Sequence, residues 1–178
     1  MTVRTITSDR LVMRPWRADD ADFLFDLESR VETVQYLGPQ AKPMVDKSEA
    51  VESIKRRQAI DHPIHGVWVI VDRADSRRLG NLLLKPTPLS EGAEGRAPVE
   101  VGWHLHPDAQ GAGFATEAAA AVLADAAAAG LARVIAVTDP RNVSSQRVCL
   151  RLGMEPLGST SDYYDESNLL FAKSLLPY

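Results

Sequence analysis

The stretch Gln110-Gly111-Ala112-Gly113-Phe114-Ala115-Thr116-Glu117-Ala118 constrains the fold of this chain most. It is a small-residue turn between a strand-like run, Val99 to Leu105, and a helix-like run from about Gly113 to Ala129. Such a turn leaves several backbone N–H groups unpaired at the positive end of a helix, where an anion, most often a phosphate, is favoured. Glycines at 111 and 113 permit positive φ and let a ligand approach the main chain. The same turn could also serve only to redirect the chain. Other phosphate signatures do not fit. A P-loop needs a Gly-Lys-Ser/Thr ending, and no lysine stands here. A dinucleotide fingerprint needs a third glycine, but position 116 is Thr, and the next strand-like run, Arg133 to Thr138, ends in Asp139 followed by proline.

The chain has 178 residues, enough for a single domain, 1–178, with a full core. A net charge of −4 argues against nucleic acid as partner, because phosphate contacts require a basic face. Lys55-Arg56-Arg57 reads as a solvated helix face. Cys149 is the only cysteine, so no intrachain disulfide can form. The longest apolar run, Ala118 to Ala124, is too short to span a bilayer. The first residues carry Arg4, Asp9, Arg10 and Arg14 and do not resemble a secretion signal. The expectation is a cytoplasmic protein without membrane or metal partners.

Leu11 to Arg14 reads as a short strand ended by Pro15, and Asp19 or Asp20 as the cap of a helix through about Leu27. Asp46 with Glu49 fits a capping box opening a helix to about Ile60. Three strand-like runs follow, Val67 to Asp72, Leu79 to Lys85 and Val99 to Leu105, joined by turns that favour an antiparallel meander. The alanine-rich segment is a helix on propensity, stopped by Gly130. Val134 to Val137 is β-branched and strand-like, and Val143 to Leu152 is a short helix closed by Gly153. A run near Leu157 pairs with Asn168 to Lys173 as a hairpin. This order predicts a mixed α/β sheet.

On these residues the chain resembles the GNAT superfamily of acyl-CoA N-acetyltransferases, and within it the ribosomal-protein N-terminal acetyltransferases. The family signature Gln/Arg-x-x-Gly-x-Gly/Ala is matched by Gln110-x-x-Gly113-x-Ala115, extended by Thr116-Glu117-Ala118. Val99-Glu100-Val101-Gly102-Trp103-His104-Leu105 resembles the family's fourth strand. Asn142-x-x-Ser145-x-x-Val148 with Leu152-Gly153-Met154 resembles the second signature of that branch, and Ser8 to Pro15 its first strand. The resemblance implies a central, mostly antiparallel sheet flanked by helices, with acetyl-CoA as co-substrate and an amine as acceptor. It implies that the backbone of Gln110, Gly111, Ala112, Gly113, Phe114 and Ala115 holds the coenzyme's pyrophosphate. The pantetheine arm is then expected to pair with Trp103, His104 and Leu105, beside Gly102, a strand glycine of the kind that marks a bulge or a close backbone approach. Asn142 is the position whose side chain reaches the coenzyme in the family; it also reads as a helix N-cap. Relatives often form homodimers.

Acetyl transfer to an amine needs a proton acceptor and tolerance of the departing thiolate. Glu100 is the candidate base, a carboxylate on the strand beside the expected thioester, and His104 is its rival by pKa. Many superfamily members carry a leaving-group tyrosine where this chain has Cys149, which reads instead as a packed small hydrophobe. In the branch resembled here the corresponding role falls to Ser145, which reads equally as a helix-start residue. Glu117 complements the helix dipole. The acceptor side is expected among the helices between Asp20 and Ile60, the Pro86–Pro98 loop and Tyr163-Tyr164. Asp46, Glu49, Glu52, Asp162, Asp165 and Glu166 are available there to attract a cation. Protein N-termini and small amines both remain open as acceptors. The alternatives from other classes are a non-catalytic acyl-CoA sensor on the same fold and an interaction protein without ligand.

Overall fold

The computed structural model describes residues 3–176. In chain order the strands are β1 (Ile6–Thr7), β2 (Leu11–Pro15), β3 (Gly66–Asp72), β4 (Arg78–Pro86), β5 (Val99–Leu105), β6 (Arg133–Thr138), β7 (Glu155–Thr160) and β8 (Asn168–Ser174). The helices are α1 (Ala21–Glu28), α2 (Val31–Val34), α3 (Lys47–Gln58), α4 (Phe114–Ala128) and α5 (Val143–Arg151). The strands form one sheet in the order β1-β2-β3-β4-β5-β6-β8-β7. The expected meander is β2 through β5, each pair antiparallel. The parallel contact is β5 with β6, joined by α4 as crossover.

Two apolar layers cover the sheet. Because side chains alternate along a strand, β3 is buried throughout: Trp68 and Ile70 face one core, and Val67, Val69 and Val71 the other. The first core holds α4, whose Ala118, Ala119, Val122, Leu123 and Ala126 are buried. The alanines of this segment keep helix propensity high and, where buried, let the backbone lie close to the sheet. The second core holds Leu24 and Leu27 of α1 with Ala50 and Ile54 of α3. The capping box of α3 is formed by Asp46 and Glu49.

Three local expectations are corrected. Asp20 does not cap α1 through its side chain. Its carboxylate is fully buried and accepts from the Arg17 N–H, both Arg14 nitrogens and Arg78, after a 3-10 turn at Ala18–Asp20. Arg57 of the basic run points inward, onto Glu28. Gly102 is not a bulge: the β4–β5 register runs unbroken from Gly80↔Leu105 to Pro86↔Val99. A Cβ at Gly102 would meet Leu83 side-chain carbons at 3.3 Å, so glycine serves close packing there.

Candidate active site

Strand β5 keeps its ladder with β4 but meets β6 at one register pair, Glu100↔Ile135, and then diverges. The resulting fork is the main cleft, of about 600 Å³, lined by Val101 to Leu105 on one prong and Ala136 to Asp139 on the other. Strand separation therefore comes from the fork and not from a bulge. Beyond Glu100 the β6-side edge of β5 is left open to an extended guest, the geometry by which a segment adds to a sheet edge.

The turn into α4 opens on the same cleft, which Gln110, Gly111, Gly113, Phe114, Ala115 and Thr116 line. Gly111 and Gly113 have φ of 83° and 80°, the left-handed region that favours glycine. The first helical bond runs from the Glu117 N–H to the Gly113 carbonyl. Among the described residues the N–H groups of Gly111, Ala112 and Gly113 have no partner. The turn is braced from outside. Arg10 donates to the Ala112 carbonyl (3.1 Å) and stacks over the Phe114 ring, while Glu117 accepts from Ser8 Oγ and from the Arg10 N–H and Nε. Glu117 thus ties the first strands to α4, a structural role as expected. Two buried hydroxyls on the cleft wall, Thr116 and Thr138, have no hydrogen-bond partner among the described residues.

Glu100 sits at the vertex of the fork, 6 % exposed. Burial raises its pKa to about 7, against the Tyr164 hydroxyl, the Lys85 charge and the Val137 N–H, which pull it down. The Tyr164 hydroxyl donates to Glu100 Oε2. Tyr164 is the side chain that sequence reasoning did not connect to the base; 64 residues separate the two, and nothing local to Tyr163-Tyr164 signals the contact.

His104 does not face solvent. Its Nε2 lies 3.0 Å from Glu28 Oε1, to which Arg57 also donates at 2.6 Å. Burial pushes the Glu28 carboxyl upward, but the hydrogen bond and charge of His104 and those of Arg57 outweigh it and leave Glu28 at about 2. Trp103 is half-buried against the α4 core while also lining the cleft, and Leu105 is core. The Asn142 oxygen accepts from the Ser145 N–H at 3.2 Å, so Asn142 caps α5 as well as lining the cleft. Ser145 lines the cleft beside it. Cys149 is fully buried, and burial raises its thiol to about 12, far from thiolate reactivity.

The regions expected on the acceptor side meet the cleft in part. Of the six acids named for it, only Glu166 lines the cleft. Asp46 and Glu49 are engaged in capping α3, Glu52 pairs with Lys55, and Asp165 accepts from the Glu91 N–H. The Asp20–Ile60 span contributes Glu32 and Thr33 of α2 with Tyr36, Leu37 and Gly38, and the Tyr163-Tyr164 region contributes Tyr164, with Glu166 and Asn168 beside it. The Pro86–Pro98 loop does not line the cleft; it packs behind the turn that carries Tyr164. Among the described residues no group of His, Cys, Asp and Glu could hold a metal ion, and no helix is long and apolar enough to cross a membrane.

The family model described as acetyltransferase (GNAT) domain matches residues 10–155. The chain is similar to YoaA of Bacillus subtilis (strain 168), named as an uncharacterised N-acetyltransferase, at 25% identity over 159 residues, 89% of this chain and 86% of the relative. Among solved structures, a GNAT-family acetyltransferase from Bacillus anthracis superposes with TM-score 0.78 at 18% identity, covering 97% of this chain and 99% of that one. The RimL ribosomal L7/L12 alpha-N-protein acetyltransferase, solved in complex with coenzyme A, superposes with TM-score 0.77 at 16% identity, covering 96% and 98%. At these identities the two solved structures establish a common fold.

Proposed function

The chain belongs to the GNAT acetyltransferase family and is an acyltransferase by that membership, and from that premise we propose that it moves an acetyl group from acetyl-CoA to a primary amine by direct attack. The observation that carries the reading is a single cleft holding both an unpaired amide turn and a buried carboxylate at the vertex of a strand fork. The N–H groups of Gly111, Ala112 and Gly113 and the start of α4 suit a diphosphate. The open edge of β5 at Gly102, Trp103, His104 and Leu105 suits the pantetheine amides, and the orphan hydroxyls of Thr116 and Thr138 supply further polar contacts. Gln110, Phe114 and Ala115 complete the wall, and Asn142 adds its remaining amide group while capping α5. Acetyl-CoA supplies the acetyl group as a thioester.

Glu100 takes the proton of the attacking amine, directly or through a water. A carboxyl with pKa about 7 is half ionised near neutrality, where a base is most effective. His104 is the rival base; the pairing of its Nε2 with Glu28 favours Glu100 for the role. Ser145 is the candidate hydrogen-bond donor to the departing sulfur. We place the chain in the ribosomal-protein N-terminal acetyltransferase branch on its Asn142-x-x-Ser145-x-x-Val148 string, with a protein N-terminus or a small amine as acceptor.

A thermal-shift titration with coenzyme A tests the binding half. A hundredfold excess over Kd stabilises a one-site protein by about 2.7 kcal/mol, and no stabilisation overturns the reading. A thiol-release assay against N-terminal peptides, aminoglycosides, polyamines and amino acids tests the transfer half. Binding without turnover on any amine would favour the acyl-CoA sensor.

A further inference from the structure

Tyr164 reaches Glu100 at a cost in backbone conformation. Tyr164 and Asp165 have φ of 63° and 54°, a region that side chains with a Cβ rarely occupy. Strain of this kind persists where surrounding contacts over-determine it, and it concentrates at functional sites. Here the contacts come from the 86–98 loop. Leu89 forms a bridge with Tyr163, and the Ser90 N–H donates to the Asp162 carbonyl at 2.8 Å. The Asp165 N–H donates to Ser90 Oγ at 2.9 Å, and the Glu91 N–H donates to Asp165 Oδ1 at 2.7 Å. The loop itself contributes nothing to the cleft wall. Its contacts converge on the one turn whose tyrosine touches the carboxylate at the fork.

We propose that Tyr164 is a positioning residue for the transfer reaction, its hydroxyl holding the Glu100 carboxyl toward the open fork, with the 86–98 loop acting as the clamp that keeps it there. The inference rests on the reading of Glu100 as the base. A carboxylate free at the vertex could turn onto Lys85, its register partner on β4, and away from the incoming amine. The groups acting on Glu100 are the Tyr164 hydroxyl from the turn, Lys85 from β4 and the Val137 N–H from β6. His104, four residues along the same strand, pairs with Glu28. A hydroxyl donated to a carboxylate stabilises the ionised form, so losing it moves ionisation to higher pH.

The test compares the wild type with Tyr164→Phe, which keeps the ring, in two readouts. The first is the infrared band of the protonated Glu100 carboxyl, identified by its loss in Glu100→Gln; this needs no acceptor and no turnover. In Tyr164→Phe the band should persist to higher pH, and a band that disappears at the wild-type pH overturns the proposal. The second is kcat/KM against pH. A loss should remain well above the limb, where the ionised carboxylate is no longer held toward the fork, and should grow by about a further tenfold on the acid side, following the shift in ionisation. An equal loss at every pH would show a merely structural role and overturn the proposal. Ser90→Ala, which loosens the clamp and leaves the tyrosine, should move both readouts the same way by less; a clamp variant with wild-type profiles overturns the clamp. If Glu100→Gln keeps the wild-type rate and acid limb, the base assignment fails, an outcome distinct from an unmoved infrared band.

Discussion

Glu28 and Glu100 are two buried carboxylates on neighbouring ground, and they sit at opposite ends of the titration scale. Glu28 lies against the Arg57 guanidinium and the His104 ring and is held at about 2. Glu100, near His104 on the same strand face, has a phenol as its direct side-chain partner and is raised to about 7. Burial pushes both upward; what differs is the compensation. A fully paired carboxylate is a fixed anion that joins α1, α3 and β5. One that is buried but weakly compensated can take up and give back a proton at neutral pH. The difference favours Glu100 as the proposed base over His104, whose Nε2 is paired with Glu28.

The largest effect that would break this contrast is catalytic. Glu100→Gln should lower kcat by about 10²–10⁴-fold at neutral pH, while stabilisation by coenzyme A stays at the wild-type level; steady-state kinetics beside a thermal-shift titration measure both. Next comes stability at the other carboxylate. Glu28→Gln leaves Arg57 without its anion and should cost about 3–5 kcal/mol in urea denaturation at neutral pH. A carboxyl with a depressed pKa contributes stability above its unfolded value and loses it as pH falls through the folded value. The gap between variant and wild type should therefore narrow from about pH 4.5 down toward 2. The smallest effect has the opposite sign. A carboxyl with a raised pKa contributes most below its unfolded value, and that contribution is lost as pH rises through about 7. Glu100→Gln should match the wild type near pH 5 and be more stable by about 2–3 kcal/mol near pH 9, within the limit set by a shift from 4.5 to about 7. Equal stability of the two proteins at both pH values would remove the raised ionisation from Glu100.

Much of the amide turn and of the helices beside the cleft was legible in the chain because their determinants are local. Glycines at 111 and 113 take the left-handed conformation that a strand-to-helix turn of this kind uses, and the alanine run becomes the helix that its propensity predicts. Asn142 caps α5 and Asp46 with Glu49 caps α3, as their spacing suggests. The acids expected to attract a cation were less legible for the complementary reason. Acids such as Asp46 and Asp165 look available to a cation in the sequence, yet their oxygens already accept from backbone N–H groups. Asp20 resembles a surface cap and is instead a buried anchor for Arg14 and Arg78, the latter 58 residues away.

The sequence by itself determined the elements, their order and the anion-seeking turn, since short-range hydrogen bonding, allowed φ and side-chain periodicity are set by neighbours in the chain. The tertiary structure alone decided that β8 lies between β6 and β7, that β5 and β6 part after one register pair, and that Tyr164 rather than a charged group meets Glu100. Those features depend on which distant segments the sheet brings side by side and on how much water it excludes between them. Residue type and spacing carry neither quantity, and the two together set the ionisation of a buried carboxylate.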